Sequence, residues 1–129
     1  MHRCVLLSSL AALLIGGGPA GAHHSFSAIF DANKTVTLTG TVTRLEWMNP
    51  HTWIYLDVTK DDGSVEEWSF EMGSPNRLMR YGWNQDSLPK GQTVTIAGSQ
   101  ARDGSRKAAV DTVTLPDGKR LFGAQDTSN

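Results

Sequence analysis

A long first strand is predicted over residues 34–47, where apolar side chains alternate with threonines. This period of two places the apolar side chains on one face of the strand and the threonines on the other. The apolar phase moves by one residue before Leu45 and Trp47. Such a change predicts a β-bulge near Arg44, and Gly40 permits a sharp bend in the strand.

More strands follow, separated by turn sequences rich in aspartate and glycine. They are predicted over residues 52–59, 65–72, 92–98, 108–115 and 119–122. A short helix is predicted over residues 76–81, because Ser74 is a good N-cap and Pro75 suits the first helical position. Gly82 then favours the end of the helix. The predicted core residues are Val36, Leu38, Val42, Ile54, Leu56, Val58, Trp68, Phe70, Met72, Leu78, Met79, Val94 and Ile96.

The order of these elements predicts an all-β fold. Three strands, a short helix and two more strands, with a bent first strand, indicate a small five-stranded OB-like Greek-key barrel with one short helix between strands three and four. An open β-sandwich is the alternative, since the same strands form one without closing. The barrel domain is predicted over residues 35–122, after an N-terminal segment at 23–34 and before a polar tail at 123–129.

The first 22 residues have the pattern of a secretory signal peptide. Arg3 provides a positive start, Val5–Ile15 is an apolar run, and Ala20-Gly21-Ala22 fits a cleavage site. A retained membrane anchor is the alternative, but the run is too short to span a bilayer. We therefore expect a periplasmic or secreted protein that begins at His23 and has no stable membrane insertion. Cleavage also removes Cys4, the single cysteine, so the exported chain forms no disulfide.

The charge of the chain bears on its partners. Its formal net charge at pH 7 is −1, and basic and acidic residues are mixed along it. Nucleic-acid binding depends on a basic surface, so the composition argues against it. An unidentified protein or a small ligand remains as the expected partner.

Three histidines of the exported chain are candidate metal ligands. An N-terminal His23 chelates Cu(II) through its free amine and its ring, and His24 and His51 offer further imidazoles. Glu46 and Asp57 flank His51 in the sequence as candidate oxygen ligands or hydrogen-bond acceptors. Copper is the expected metal and zinc the second candidate. The ordinary alternatives are a hydrogen-bonding role for His51 in its turn and a flexible N-terminus.

Exposed aromatic residues give a second candidate surface. Trp53 and Tyr55 share the outward phase of the second strand, in the region where OB-folds bind ligands. With Trp47, they predict a metal-free module that binds a protein or a glycan. Alternatively, Phe26 or Phe30 of the N-terminal segment covers them.

Catalytic signatures are missing from the sequence. It contains no Ser-His-Asp pattern, no glycine-rich phosphate loop and no HExxH motif. The outward carboxylates of Asp57, Glu67 and Glu71 fit a solvated strand face better than an acid–base pair. The sequence therefore predicts a non-catalytic periplasmic binding protein for copper. The interaction module is the alternative, and an enzyme with copper redox chemistry is the least favoured reading.

Several short motifs are spread over the chain. They are His23-His24-Ser25-Phe26, Asn49-Pro50-His51-x-Trp53, Gly73-Ser74-Pro75-Asn76 and Ala101-Arg102-Asp103-Gly104. With them the chain resembles an uncharacterised family of short exported Gram-negative bacterial proteins, catalogued as a domain of unknown function. The resemblance implies a periplasmic or secreted setting and no particular activity.

Overall fold

The computed structural model describes residues 26–125, and the strands there dominate. The predicted signal peptide, His23 and His24 lie outside the described residues. The elements are α1 (Phe26–Ile29), β1 (Phe30–Glu46), β2 (Trp53–Thr59), β3 (Val65–Glu71), α2 (Pro75–Met79), β4 (Thr93–Ala101), β5 (Lys107–Thr114) and β6 (Arg120–Phe122). The predicted all-β class is confirmed. No helix in this part of the chain is long and apolar enough to cross a membrane.

The long strand β1 pairs with two neighbouring strands. Its first part pairs with β4 and its last part with β2, both antiparallel. The register with β2 shifts between Val42 and Arg44, which confirms the predicted bulge. A Cβ atom at Gly40 would lie 2.6 Å from the carbonyl oxygen of Asp57. Glycine is therefore required at this position of β1, because a side chain would collide with the backbone of β2.

The hydrogen-bonded strands follow the order β3-β2-β1-β4-β5-β6, and β3 also pairs with β5. This last pairing is parallel and joins residues 69–71 to residues 107–109. The pairings consequently run in a closed circuit through β1, β2, β3, β5 and β4. Among the described strands, β6 alone lies outside the circuit, paired with β5.

The core lies on the inward side of these strands. Period-two alternation brings the apolar side chains of β2, β3, β4 and β5 to one interior cluster, and α2 adds Leu78. The change of phase in β1 keeps its later apolar residues in contact with the core after the bulge. The residues of the core include Val42, Ile54, Leu56, Val58, Trp68, Phe70, Met72, Leu78, Val94 and Ile96.

Some boundaries and one core residue differ from the sequence predictions. Strand β1 already begins at Phe30, and the short helix α1 precedes it. Helix α2 ends at Met79, whose side chain is 53% exposed. The core position predicted for Met79 is wrong, because a helix this short presents only one side to the core and Leu78 occupies it.

Candidate functional site

Two rows of side chains cross the outer face of the sheet. Sheet partners point to the same side, so the pairing register identifies each row. The first row is Glu46, Trp53, Glu71 and Ala109, on β1, β2, β3 and β5. The second row is Arg44, Tyr55, Ser69 and Lys107, on the same strands. We call these two rows the outer face.

His51 lies at the end of the first row, just before β2. Its Nδ1 is 3.2 Å from Oε1 of Glu71 and 3.1 Å from the carbonyl oxygen of Met72. A backbone carbonyl only accepts hydrogen bonds, so Nδ1 carries the hydrogen. In the neutral ring the lone pair is then on Nε2, and the side chain is 41% exposed.

Glu71 is the partly buried carboxylate of this pair. Its side chain is 12% exposed, and Gln125 donates a hydrogen bond to its backbone carbonyl. Burial raises the pKa of Glu71 above its ordinary value, although the charges of His51 and Lys107 act in the opposite direction. The native protein thus holds a proton on Glu71 more tightly than the unfolded chain does.

This raised pKa predicts how the Glu71→Gln variant behaves in metal-free protein. The stability that Glu71 contributes is fully present below its unfolded pKa and is lost as the pH rises through the folded pKa. Glutamine does not titrate, so the Glu71→Gln variant does not lose this stability as the pH rises. The free energy of unfolding of the variant minus that of the wild type should therefore increase from pH 4 to pH 7, as measured by urea denaturation.

The matched control is Glu67→Gln, which removes the same charge from an exposed position of β3. Exposed substitutions change stability by about 0.5 kcal/mol or less, so its difference between the two pH values should be the smaller one. A Glu71→Gln difference that stays constant or decreases with pH would contradict the role of burial at Glu71.

The ring of Tyr55 is covered by its neighbours. The guanidinium carbon of Arg44 lies 3.4 Å from the ring centroid, and the Tyr55 hydroxyl donates to Oε2 of Glu46 at 3.2 Å. Arg44 Nε also donates to Oε1 of Glu46 at 2.9 Å. This closed set of contacts occupies the ring face that a stacking ligand would need.

The two tryptophans predicted as one surface lie in different places. Trp53 is on the outer face, with Lys107 Nζ 5.7 Å from its ring centroid. Trp47 instead packs against the core cluster, after the change of phase in β1. Phe26 and Phe30, the predicted cover, pack with Ala101 and Ala109, and Trp53 is not among the residues of that cluster.

The N-terminal segment reaches the other end of the first row. Phe26 and Phe30, with ring centroids 5.4 Å apart, pack with Ala101 and Ala109. Ala109 is the sheet partner of Glu71. The described chain thus begins beside the strand position that neighbours the carboxylate bound to His51.

Neither carboxylate that the sequence indicated contacts His51. Glu46 bonds Arg44 and Tyr55, and Asp57 is four residues along β2 from the first row, about 13 Å away. Glu71 was missed as the partner of His51. The signal for it was the hairpin turn at residues 61–64, whose register pairs Trp53 with Glu71.

Within residues 26–125, no three His, Cys, Asp or Glu side chains form a group suited to a metal ion. His51 and Glu71 provide two candidate donors, and the ring nitrogen that faces Glu71 is the protonated one. A metal held by Nε2 of His51 and by two more His, Cys, Asp or Glu side chains would therefore take ligands from outside this range. His23 and His24 lie outside it.

Comparison with known proteins assigns the chain to a family. The model described as "Family of unknown function (DUF6152)" matches residues 11–110, more than half of the chain. The chain belongs to the DUF6152 family. The matched range of this DUF6152 chain includes His51, Glu71 and Arg102. The family assignment carries no activity with it.

Solved structures give two partial similarities. TiaS, in a crystal structure of its complex with a transfer RNA and ATP, is 17% identical over 67% of this chain, with a TM-score of 0.48, and the chain spans 19% of the TiaS chain. The dimeric N-terminal domain of PriB from Thermoanaerobacter tencongensis is 27% identical over 64% of this chain and 96% of its own, with a TM-score of 0.47. No curated protein matches the chain at a significant level.

Proposed function

We propose that the protein is a non-catalytic, periplasmic Cu(II)-binding protein, exported by a signal peptide at residues 1–22. Its ligands are the N-terminal amine and the imidazoles of His23, His24 and His51. The observation that carries the proposal is the geometry of His51, whose Nδ1 is held by the backbone carbonyl of Met72 and by the carboxylate of Glu71. The sheet partner of Glu71, Ala109, packs with the N-terminal segment.

The hydrogen bonds of His51 match those of histidines that bind metals. Such histidines generally donate one ring N–H to a carboxylate or a backbone carbonyl, which orients the ring and makes the other nitrogen more basic. His51 has both kinds of acceptor, Glu71 and Met72, at Nδ1. Its Nε2 is therefore the proposed ligand atom, and Glu71 orients the ring without binding the metal itself.

The reach of the chain is compatible with a shared site. His24 precedes Phe26 by two residues, a distance of about 7 Å at full extension. Phe26 packs against the cluster that contains Ala109, and the strands of Ala109 and Glu71 are about 4.8 Å apart. The described chain thus begins, at Phe26, in the cluster that covers the sheet partner of Glu71.

Copper suits this ligand set better than zinc. Nitrogen donors in a tetragonal arrangement favour Cu(II) over the other common divalent ions. The N-terminal amine must lose its proton to bind, and its ordinary pKa is about 7.7–8.0. Binding is therefore expected to weaken in mild acid.

We also infer that the closed circuit of pairings is the predicted five-stranded OB-like Greek-key barrel, with β6 as an addition on β5. In this barrel, His51 lies at the end of the β1–β2 connection. The exposed aromatic module is less well supported, because Arg44 covers Tyr55 and Trp47 packs on the core.

Copper titration of correctly processed protein tests the proposal. A chain that begins at His23 is expected to bind one Cu(II) with several nitrogen ligands in its electron paramagnetic resonance spectrum. Three glycines added before His23 move the amine away from the ring and leave no histidine at the first three positions, where it would chelate Cu(II) together with the amine. The affinity should then decrease at least about tenfold. Intact mass establishes the first residue of each protein.

The control is three glycines added after Asn129, which leave the N-terminus unchanged and should leave the affinity unchanged. Equal Cu(II) affinity in the processed protein and in the protein extended before His23 would refute the N-terminal site. A spectrum dominated by oxygen ligands would refute it as well.

A further inference from the structure

A surface groove lies along helix α2 and the turn that follows it. Its volume is about 630 Å³, which is within the usual range for a small-molecule site. The groove is partly open to solvent, and every residue that lines it has a polar or charged side-chain group. These residues are Ser74, Asn76, Arg77, Arg80 and Tyr81.

The two arginines of the groove lie close together in the chain. Arg77 is in the last turn of α2, and Arg80 is the C-cap, whose backbone N–H donates to the carbonyl of Arg77 at 3.1 Å. Residues three apart in a helix are neighbours on its surface, where like charges repel each other. Residues 72–85 contain these two arginines and no acidic residue, although the whole chain has a formal net charge of −1. The groove therefore has a positively charged lining.

Ser74 adds a hydroxyl group that the helix does not use. The sequence predicts Ser74 as an N-cap, and it holds that position with an extended backbone. Within α2 and its cap, all of which the structure describes, the Ser74 side chain makes no capping hydrogen bond. A serine hydroxyl both donates and accepts hydrogen bonds, so this one can donate to a ligand in the groove.

Tyr81 gives the groove a surface for the uncharged part of a ligand. Its side chain is 49% exposed, so much of it is accessible from solvent. A tyrosine combines a flat apolar ring with a polar hydroxyl group. The groove thus offers charge, hydroxyl groups and an aromatic ring together.

We infer that this groove binds a small organic anion, which carries carboxylate or phosphate oxygens on a compact body. Arginine presents several N–H donors in a fixed plane and can bind a carboxylate or a phosphate through two parallel hydrogen bonds. An anion bound by both Arg77 and Arg80 also offsets the repulsion between them. The Ser74 hydroxyl and the Tyr81 ring complete the contacts.

The anion site goes beyond the proposed copper function and does not depend on it. None of its residues is a proposed copper ligand. It assigns a role to the Gly73-Ser74-Pro75-Asn76 motif, which the copper ligands do not include.

Titration of the metal-free protein with citrate and with glycerol 3-phosphate tests the inference, with nuclear magnetic resonance of the backbone amides as the measurement. Citrate supplies only carboxylates and glycerol 3-phosphate only a phosphate, so the tighter ligand identifies the class of anion. At least one of them is expected to cause saturable shifts within residues 74–81. Glycerol, which has no charge, should cause none. The absence of saturable shifts with both anions would overturn the inference.

Arginine variants show whether the groove itself binds the anion. Arg80→Ala should weaken binding about tenfold, the effect expected for one lost charge-assisted hydrogen bond. Arg80→Lys keeps the charge but lacks the planar set of donors, so its affinity should be intermediate. Arg120→Ala is the matched control, because Arg120 is an exposed arginine of β6 that does not line the groove, and its affinity should equal that of the wild type. Equal losses in Arg80→Ala and Arg120→Ala would mean that the anion responds only to net charge, and would overturn the site.

Ser74→Ala separates anion binding from helix stability. Because the Ser74 hydroxyl does not cap α2, this variant should unfold at the same temperature as the wild type while its affinity for the anion decreases. A lower unfolding temperature with unchanged affinity would instead be the result for a capping serine, and would remove Ser74 from the site. Circular dichroism checks that every variant is folded.

Discussion

Alanine in place of His51 is expected to lower the Cu(II) affinity of the processed protein by more than about 100-fold. The loss of a hydrogen-bond partner of a metal-binding histidine already costs about 10–100-fold, and removal of the ligand itself costs more. Competition against a chelator of known affinity measures the change. The number of nitrogen ligands in the paramagnetic resonance spectrum should decrease by one.

Asn76→Ala is the control for this measurement, since Asn76 is a polar, exposed residue of α2. Its Cu(II) affinity should equal that of the wild type. If His51→Ala binds copper as tightly as the wild type, with the same set of nitrogen ligands, His51 is not a ligand. The shared site would then be excluded, although an N-terminal site formed by His23 alone would remain.

Alanine in place of Phe70 is expected to lower the free energy of unfolding by about 3–5 kcal/mol. Phe70 is 0% exposed, and its ring centroid lies 6.1 Å from that of Trp68. Truncation removes the ring from the core cluster and leaves a cavity that the surrounding strands fill only in part. Urea denaturation, monitored by circular dichroism, measures the loss.

Phe122→Ala is the matched control, because Phe122 is 55% exposed and contributes mainly backbone contacts through its carbonyl to Trp83. This variant should differ from the wild type by about 0.5 kcal/mol or less. Similar losses in the two variants would mean that Phe70 does not lie in the interior of the fold.

The strands and their inward faces could be predicted from the sequence. Strand periodicity depends on residues that follow one another directly, so the phase of β2 and β3 can be read without tertiary information. The same local signal located the bulge between Val42 and Arg44. It failed at Met79, because the length of a five-residue helix limits how many side chains face the core.

The candidate site could be predicted from the sequence only in part. His51 was identified from its own chemistry and from its rigid turn, but Glu46 and Asp57 were expected beside it because they are near it in the chain. The structure brings Glu71 there instead, 20 residues later, through the register of the β2–β3 hairpin. A register is a property of two strands together, and neither strand specifies it alone.

Contacts between residues that are far apart in the chain could not be predicted from local sequence patterns. Arg102 contacts Ser27 across 75 residues, and the parallel pairing of β3 with β5 brings Ala109 next to Glu71. The position of Arg44 over Tyr55 likewise depends on the bulge and on the pairing of β1 with β2.

The sequence by itself determined the all-β class, the core faces of the strands and the presence of a histidine in the β1–β2 connection. These properties follow from local periodicity and from residue chemistry. Only the tertiary structure decided which carboxylate orients that histidine, that Arg44 covers Tyr55, and that Arg102 docks the N-terminal segment near Glu71. Each of these contacts joins residues from separate parts of the chain, so it exists only once the sheet has formed its pairings.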